Sequence, residues 1–497
     1  MMKKESGTLQ SEKVALTQKI IFALGMAPSL LMLNSIGYLA MPIYNIALGV
    51  SPVLIGIALA IPKFWDAVTD PVMGNISDNT RTRFGRRRPY MAVGAVLGGL
   101  VYSFMWNPPA LGATGLFVYL MLISILLSTV YTIYMVPFCG LAYELTYDYN
   151  ERTRLMTWRA WSGSLFGLLM GWAYKLCFLG TSQGASMQST LRRIVGDGFC
   201  VRLMNFFGDT ELQGARAVGF IFGGIIILTG LLPALILREK IKATENQEKI
   251  GIVESFKCTF SNRVFMLLCV ILFLFTVGHY MIQPLESYIC IYYIYEGDKS
   301  AGAGLIGLGL TVWIAVNLIA IPMIGWCGVK FGKRKTLIGA ITLGTVGSLS
   351  RWFCLTPEHP YLYLISQAIL APGVVSIWIM EGSMIADVTD LDELNTHRRR
   401  EGMFAAAQSL IFKFAHAAVL AFAGVLIAFT GVNMDLIGPQ SPETILKMRI
   451  LFSFIPTLCL GIAIILAWRY PLTRQKCLEI RAELDLRHAA ERSSAGS

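Results

Sequence analysis

The segment Lys63-Phe64-Trp65-Asp66-Ala67-Val68-Thr69-Asp70-Pro71 holds two carboxylates four residues apart in an otherwise apolar stretch. On a helix, positions i and i+4 lie on one face, so both acids project the same way. The run before them, Ser51 to Ile61, is almost wholly apolar and reads as membrane-spanning. One carboxylate in that setting costs about 2.5–3.5 kcal/mol on insertion scales, and a pair costs more. Such a pair persists when something compensates it, and a bound cation does so. The chemistry these residues suggest is cation-coupled transport.

The elements that must position the pair follow from composition. The 497 residues are 55% hydrophobic and 15% charged, against about 25% charged in soluble domains. The chain therefore reads as an all-α, multi-pass membrane protein. Its formal charge of +11 does not indicate a nucleic-acid partner, because the basic residues sit in short loops between apolar runs, the positive-inside pattern. The ten cysteines include no C-x-x-C. Cys139, Cys269 and Cys459 fall in apolar runs as small packing residues, so no disulfide or metal framework is expected. No P-loop, nucleophile elbow or metal-ligand cluster is present, so an enzyme is not expected and neither is a cofactor beyond the coupling ion. The polar start, Met1 to Lys19, leads into a run too long for a signal-peptide core, and no cleavage is expected.

A span needs about 20 apolar residues. Twelve candidates occur, at about 20–47, 51–76, 89–108, 113–145, 155–179, 216–237, 262–295, 302–328, 336–354, 359–388, 403–431 and 447–470. The basic links Arg81 to Arg88, Glu151 to Arg154, Lys330 to Lys335 and His397 to Arg400 all follow even-numbered spans. Both termini are therefore expected in the cytoplasm of a cell whose inner or plasma membrane holds the protein. A repeat of six spans is visible. Phe84-Gly85-Arg86-Arg87-Arg88 after span 2 matches Phe331-Gly332-Lys333-Arg334-Lys335 after span 8, and the basic clusters after spans 4 and 10 correspond. The expected plan is a tail over 1–19, a six-span half over 20–237, a cytoplasmic linker over 238–261, a second six-span half over 262–470 and a tail over 471–497. Two pseudo-symmetric halves around a midplane site is transporter architecture of the major facilitator kind. Each chain holds both halves, so a monomer in the lipid bilayer is the expectation. The segment 180–216 reads as a long outward-facing loop.

The block Trp65 to Gly74, followed by Ser77-Asp78-Asn79-Thr80-Arg81-Thr82-Arg83-Phe84-Gly85-Arg86-Arg87-Arg88-Pro89-Tyr90, resembles the glycoside–pentoside–hexuronide:cation symporter family. Pro137-Phe138, Glu144-Leu145-Thr146 and Asp148 to Arg154 after span 4 extend the resemblance, as does Arg399-Arg400-Glu401-Gly402-Met403-Phe404 before span 11. Both halves take part, and the 180–216 loop does not. The resemblance implies a cation site of Asp66, Thr69, Asp70 and Thr132. Such an oxygen set suits sodium, with Asp66 and Asp70 as the ion's charged ligands. Protons can use the same acids, because burial and a like-charged neighbour both favour the protonated form. Lys63 and Lys413 are the counter-charges, and Gln408 and Lys413 match a glutamine and lysine that the family places near its site.

The family's galactoside site carries over poorly. Its acid positions fall near Ser29-Leu30 and on Met135, and its stacking aromatic falls on Cys139. Only Arg159 matches. The substrate candidates are therefore Arg159, Asn34, Trp378, Glu381, Gln408 and Lys413. A gate at the basic loops would use Asp78, Arg81, Arg87, Glu151 and Arg400, although the same arginines also serve as topology determinants. Glu286 and Glu381 could instead be structural partners of Lys175 or Arg159, and His279 and His416 read as packing residues. The function expected is import of a glycoside, sugar or hexuronide with sodium or a proton. The alternatives are a lysolipid-type transporter, for which Met135 and Cys139 leave apolar room, and a sensor or scaffold that does not transport.

Overall fold

The computed structural model describes residues 14–145, 149–237, 261–396, 401–433 and 440–495. These are helical throughout, and no strand occurs among them. The linker expected at 238–261 falls almost wholly outside the described residues.

Helices occupy all twelve expected positions and are numbered here as spans. Span 1 runs Leu16–Ala47, span 2 Pro52–Asn79, span 3 Arg88–Met105, span 4 Ala113–Glu144, span 5 Tyr149–Leu176 and span 6 Glu211–Ile236. Span 7 runs Arg263–Ile294, span 8 Lys299–Phe331, span 9 Lys333–Cys354, span 10 Leu362–Thr396, span 11 Glu401–Thr430 and span 12 Pro442–Trp468. Ten of these helices are long and apolar enough to cross a membrane. The two that fall short on length or composition are spans 3 and 5. Span 3 has only 18 residues, with Gly94, Gly98 and Gly99 among them, and span 5 opens on a charged turn. Both are instead held by packing, span 3 between spans 4 and 6 and span 5 between spans 1 and 8.

Polar residues at the span starts supply the orphan backbone donors with partners. Thr210 and Gln213 form a reciprocal capping box on span 6. Asn262 caps span 7, Asp298 caps span 8 and Ser441 caps span 12.

The six-span repeat is reproduced in packing. In the first half span 4 packs on spans 2 and 3, span 3 on span 6, span 6 on span 1 and span 1 on span 5. In the second half span 10 packs on spans 8 and 9, span 9 on span 12, span 12 on span 7 and span 7 on span 11. Spans 1 and 7 also share a form that hydrophobic periodicity does not announce. Each breaks part-way, at Gly25–Met26 and at Met281–Ile282, and each ends in a π-helical turn, Met41–Ala47 and Ile289–Ile294. Breaks at corresponding places in two halves mark the centre of a transporter fold.

The basic links repeat as well. Gly85 and Gly332 both take positive φ, 103° and 89°, which turns the chain into the next span without a Cβ clash. Arg88 then donates to the carbonyls of Ala234 (2.7 Å) and Leu235 at the end of span 6. Arg334 does the same to Ala467 and Trp468 at the end of span 12. A cation at a helix C-terminus satisfies orphan carbonyls and the helix dipole together. The guanidinium of Arg87 fills the space a side chain on Gly140 of span 4 would need, and Lys333 pairs with Asp387 of span 10 at 2.6 Å.

The hydrogen bonds and ion pairs described between the halves lie from the end opposite these basic links, here the far end, to mid-depth. Tyr288 donates to Asn45 at 2.6 Å, Lys299 pairs with Glu211 at 3.1 Å and Lys175 donates to the Ser300 carbonyl at 2.8 Å. Trp172 donates to Thr311 at 3.1 Å nearer the middle. Spans 2 and 11 touch through backbone at Gly56 and Gly424. The halves are thus closed against each other at the far end.

The segment expected as a loop at 180–216 folds into a short turn, Ser182–Gly184, and two helices, Ala185–Val195 and Asp197–Phe207, before span 6 starts. After span 12, the helix Arg474–Ala495 lies along span 10.

Candidate functional site

Spans 2 and 4 run in the same direction side by side, and their register sets the site. Asp66 accepts a hydrogen bond from Ser128, and Asp70 accepts one from Thr132 at 2.7 Å. Both rungs have the same sequence offset, because Ser128 and Thr132 repeat the i, i+4 spacing of the acids. Asp66 is 5% exposed and Thr132 is 1% exposed, so the upper acid and the lower hydroxyl are out of bulk water.

The remaining carboxylate oxygens face ammonium groups. Lys63 Nζ lies 3.6 Å from Asp66 Oδ2. Lys413 of span 11, in the other half, pairs with Asp70 Oδ2 and also donates to the Asp66 carbonyl at 3.0 Å. Lys413 therefore bridges the Asp70 carboxylate and the Asp66 backbone. It is also the deepest ion pair described between the halves.

Thr69, expected among the cation ligands, is not brought to the acids. Its hydroxyl donates to the Trp65 carbonyl one turn back at 3.2 Å, as a helix-interior threonine commonly does. Sequence reasoning missed Ser128. The signal for it was the matched spacing of Ser128 and Thr132 on one helix and Asp66 and Asp70 on the other. Among the described residues no cluster of His, Cys, Asp or Glu gathers to hold a resident metal.

On the other side of span 11 lies a small cavity of about 10 Å³, room for one water, between spans 7, 10 and 11. Phe275, Trp378 and Phe412 form its aromatic wall, with Trp378 edge-on to Phe412 at 5.2 Å between centroids. Glu381 and Gln408 are the polar members, with Thr276. Glu381 is 7% exposed. No hydrogen bond or ion pair reaches its carboxylate among the described residues, and neither Lys175 nor Arg159 is its partner. Lys175 is bound to Ser300, and Arg159 Nε points to Met26 Sδ at 3.2 Å.

Span 11 thus serves both places. Lys413 faces the acid pair, while Gln408, Ile411, Phe412 and Ala415 face the cavity. Of the substrate candidates, Trp378, Glu381 and Gln408 come together there. Arg159 stays in the first half beside the break of span 1. Asn34 is exposed one turn before Tyr38 and does not line the cavity.

The other polar candidates are used structurally. His279 stacks between Phe275 and Trp313, and His416 lies against Phe412 and Tyr280. Glu286 accepts from Tyr363 and from Gln367 (3.1 Å) near the far end. Of the gate candidates, Arg87 packs on span 4 as above and Arg81 is exposed. Arg400 and the side chains of Asp78 and Glu151 lie outside the described residues.

Comparisons with known proteins bear on the family and the fold. The family described as MFS/sugar transport protein matches residues 21–474. A putative glycoside/cation symporter of Escherichia coli is 24% identical, with 91% of each chain covered. The sodium-dependent lysophosphatidylcholine symporter 1 of Gallus gallus is also 24% identical, over 97% of this chain and 92% of that protein. Among solved structures, a bacterial homologue of the human lysosomal transporter Spinster superposes with a TM-score of 0.65 at 14% identity, covering 94% of this chain and 99% of the other.

Proposed function

The chain belongs to the MFS/sugar transport family, and on that premise we propose that it is a cation-coupled symporter. It carries a small hydroxylated substrate of the glycoside, sugar or hexuronide class, with sodium as the coupling ion at Asp66 and Asp70. One observation carries the reading: a neutralised acid pair and a cavity with an unpartnered acid share a single helix wall, span 11.

Sodium entering between Asp66 and Asp70 replaces the ammonium of Lys413, with Ser128 and Thr132 as neutral oxygen donors. Releasing Lys413 frees span 11, which also carries Gln408 and Phe412 of the cavity wall. Cation binding is therefore felt at the substrate position, and by linkage substrate must tighten cation binding by the same factor. The cavity as it stands admits one water, so a sugar ring enters once span 11 has moved. It then lies against Trp378 while Glu381 and Gln408 hydrogen-bond its hydroxyls, the usual division between apolar walls and few polar groups.

The positive-inside pattern sets the basic links and both termini in the cytoplasm, so closure at the far end corresponds to an inward-facing state of a rocking cycle. One sodium moving down about 100 mV releases roughly 2.3 kcal/mol, and a tenfold sodium gradient adds about 1.4 kcal/mol. Together these hold a substrate gradient of several hundredfold.

A second reading is favoured by one feature. Phe273 lines both the Glu381 cavity and a neighbouring apolar groove of about 330 Å³ between spans 7 and 11, with Val277, Met281, Val419 and Phe422. A substrate with a hydrocarbon chain, such as a lysolipid, would use that groove.

Uptake into proteoliposomes decides between them. Accumulation of a glycoside or hexuronide driven by an inward sodium gradient supports the first reading, and accumulation of lysophosphatidylcholine alone supports the second. Absence of sodium- or proton-driven uptake for every class would refute symport.

A further inference from the structure

We propose that the helical hairpin formed by Ala185–Val195 and Asp197–Phe207 is a membrane-interface anchor. Its apolar edge rests in the headgroup region of the leaflet at the far end, and its arginines bind anionic lipid phosphates. The motifs that carry the family resemblance lie outside this segment, and transport as proposed makes no use of it.

The first observation is exposure. Ile194 is 73% exposed, Phe199 58%, Phe206 53% and Val195 41%. A loop bathed in water does not ordinarily leave that many large apolar side chains together. The second is their arrangement. On Asp197–Phe207, Phe199, Arg202 and Phe206 share one face at i, i+3 and i+7. Cys200, Leu203 and Phe207, on the adjoining face about a quarter-turn round, pack inward. Gly196, at φ 82°, turns the chain so that Ile194 and Val195 stand at the hairpin tip beside Phe199.

The third observation is charge. Arg192, Arg193 and Arg202 are exposed on or next to that edge. The acid nearest them, Asp197, is only 4.0 Å from Arg192 Nε at its closest and is itself 86% exposed. Basic and aromatic residues on one edge of an amphipathic helix are the signature of a helix lying in an anionic membrane surface.

The fourth is tethering. The Gln188 amide donates to the carbonyls of Leu179 (2.8 Å) and Thr181 (2.9 Å) at the end of span 5. The Cys200 thiol reaches the Gln188 carbonyl at 3.8 Å, and Ser300 donates to the Gln183 carbonyl at 2.7 Å. The hairpin is therefore tied to the ends of spans 5, 6 and 8, where those spans would leave the bilayer.

The test is hydrogen exchange on the full-length protein in nanodiscs of phosphatidylcholine with and without phosphatidylglycerol. Amides of residues 192–206 should exchange roughly tenfold more slowly with phosphatidylglycerol present. The variant Arg192→Gln/Arg193→Gln/Arg202→Gln should lose that difference. The variant Phe199→Ser/Phe206→Ser should lose protection in both lipids. Exchange in spans 5 and 6 serves as the folding control, and the variants should match the parent there. Equal exchange in the two lipids, with the arginine variant indistinguishable from the parent, would overturn the proposal. Protection that depends on added glycoside rather than on lipid would also overturn it, and would make the hairpin a cover over the far-end mouth.

Discussion

The acid pair of the first half and Glu381 of the second half stand at similar depth in the bundle, yet they are treated in opposite ways. Each carboxylate oxygen of Asp66 and Asp70 faces a donor, Ser128, Lys63, Thr132 or Lys413. Glu381 is nearly as buried as Asp66 and shares its cavity with aromatic and aliphatic side chains, Cys269, Thr276 and the Gln408 amide. An unpaired buried carboxylate is costly, so the two sites spend that cost differently. At the pair, tethered ammonium groups neutralise the acids, and on the proposed reading they hold the place of a mobile ion. At Glu381 no charged group among the described residues stands in, and on the proposed reading the partner comes with the substrate.

The largest effect should follow from removing a member of the pair. Asp70→Asn leaves Lys413 without its counter-charge and deprives sodium of a ligand. Sodium-driven uptake in proteoliposomes should fall by roughly 100-fold or more, about 2.7 kcal/mol. Uptake that survived this change would break the contrast, because Asp70 would then be a structural partner of Lys413 and nothing else.

Next comes Glu381→Gln, which keeps the shape and removes the charge. A hydrogen bond to a charged group contributes about 1.5–3 kcal/mol, so substrate affinity should drop by roughly 10- to 100-fold. The sodium-induced rise in melting temperature should stay as in the parent. If that rise is lost too, the two acids do not have separate duties.

Lys413→Met tests the stand-in itself. Without the tethered ammonium, sodium no longer has to displace it, and sodium affinity should rise by about tenfold. The melting temperature without sodium should fall, because Asp70 and Asp66 then repel each other unscreened. Lower sodium affinity in this variant would mean that Lys413 helps to build the site.

Much of this was legible in the sequence, for physical reasons. Apolar run length and basic loops are bulk properties of a chain in a bilayer, so the all-helical fold and the six-span repeat could be read directly. Asp66 and Asp70 were conspicuous because a charge in an apolar run is rare. Three features were not legible. The π-helical ends of spans 1 and 7 come from packing at the far end, where Tyr288 meets Asn45, and no periodicity encodes that. The two helices within 180–216 were hidden by Gly196, Gly208 and mixed charges, which read as loop. The isolation of Glu381 is a fact about what lies across from it. Lys175 and Arg159 were reasonable partners on paper and are engaged elsewhere in space.

Ser128 and Thr69 give the smallest and sharpest test. The family resemblance places Thr69 on the cation, while the register between spans 2 and 4 places Ser128 there. A serine in an apolar helix is usually read as bonding its own backbone, which is why Ser128 escapes a reading by residue type. Here it is Thr69 that bonds backward, to Trp65, and Ser128 that reaches Asp66 across the helix interface. Ser128→Ala removes one neutral donor, a loss of about 1 kcal/mol, so sodium affinity measured by thermal shift should weaken by roughly fivefold. Thr69→Ala should leave it within about twofold, because the bond it loses closes within its own helix. The reverse order would show that Thr69 turns from Trp65 to the ion once Lys413 has left. The family's ligand set would then hold in the loaded state, and the Asp66–Ser128 rung would belong to the empty one.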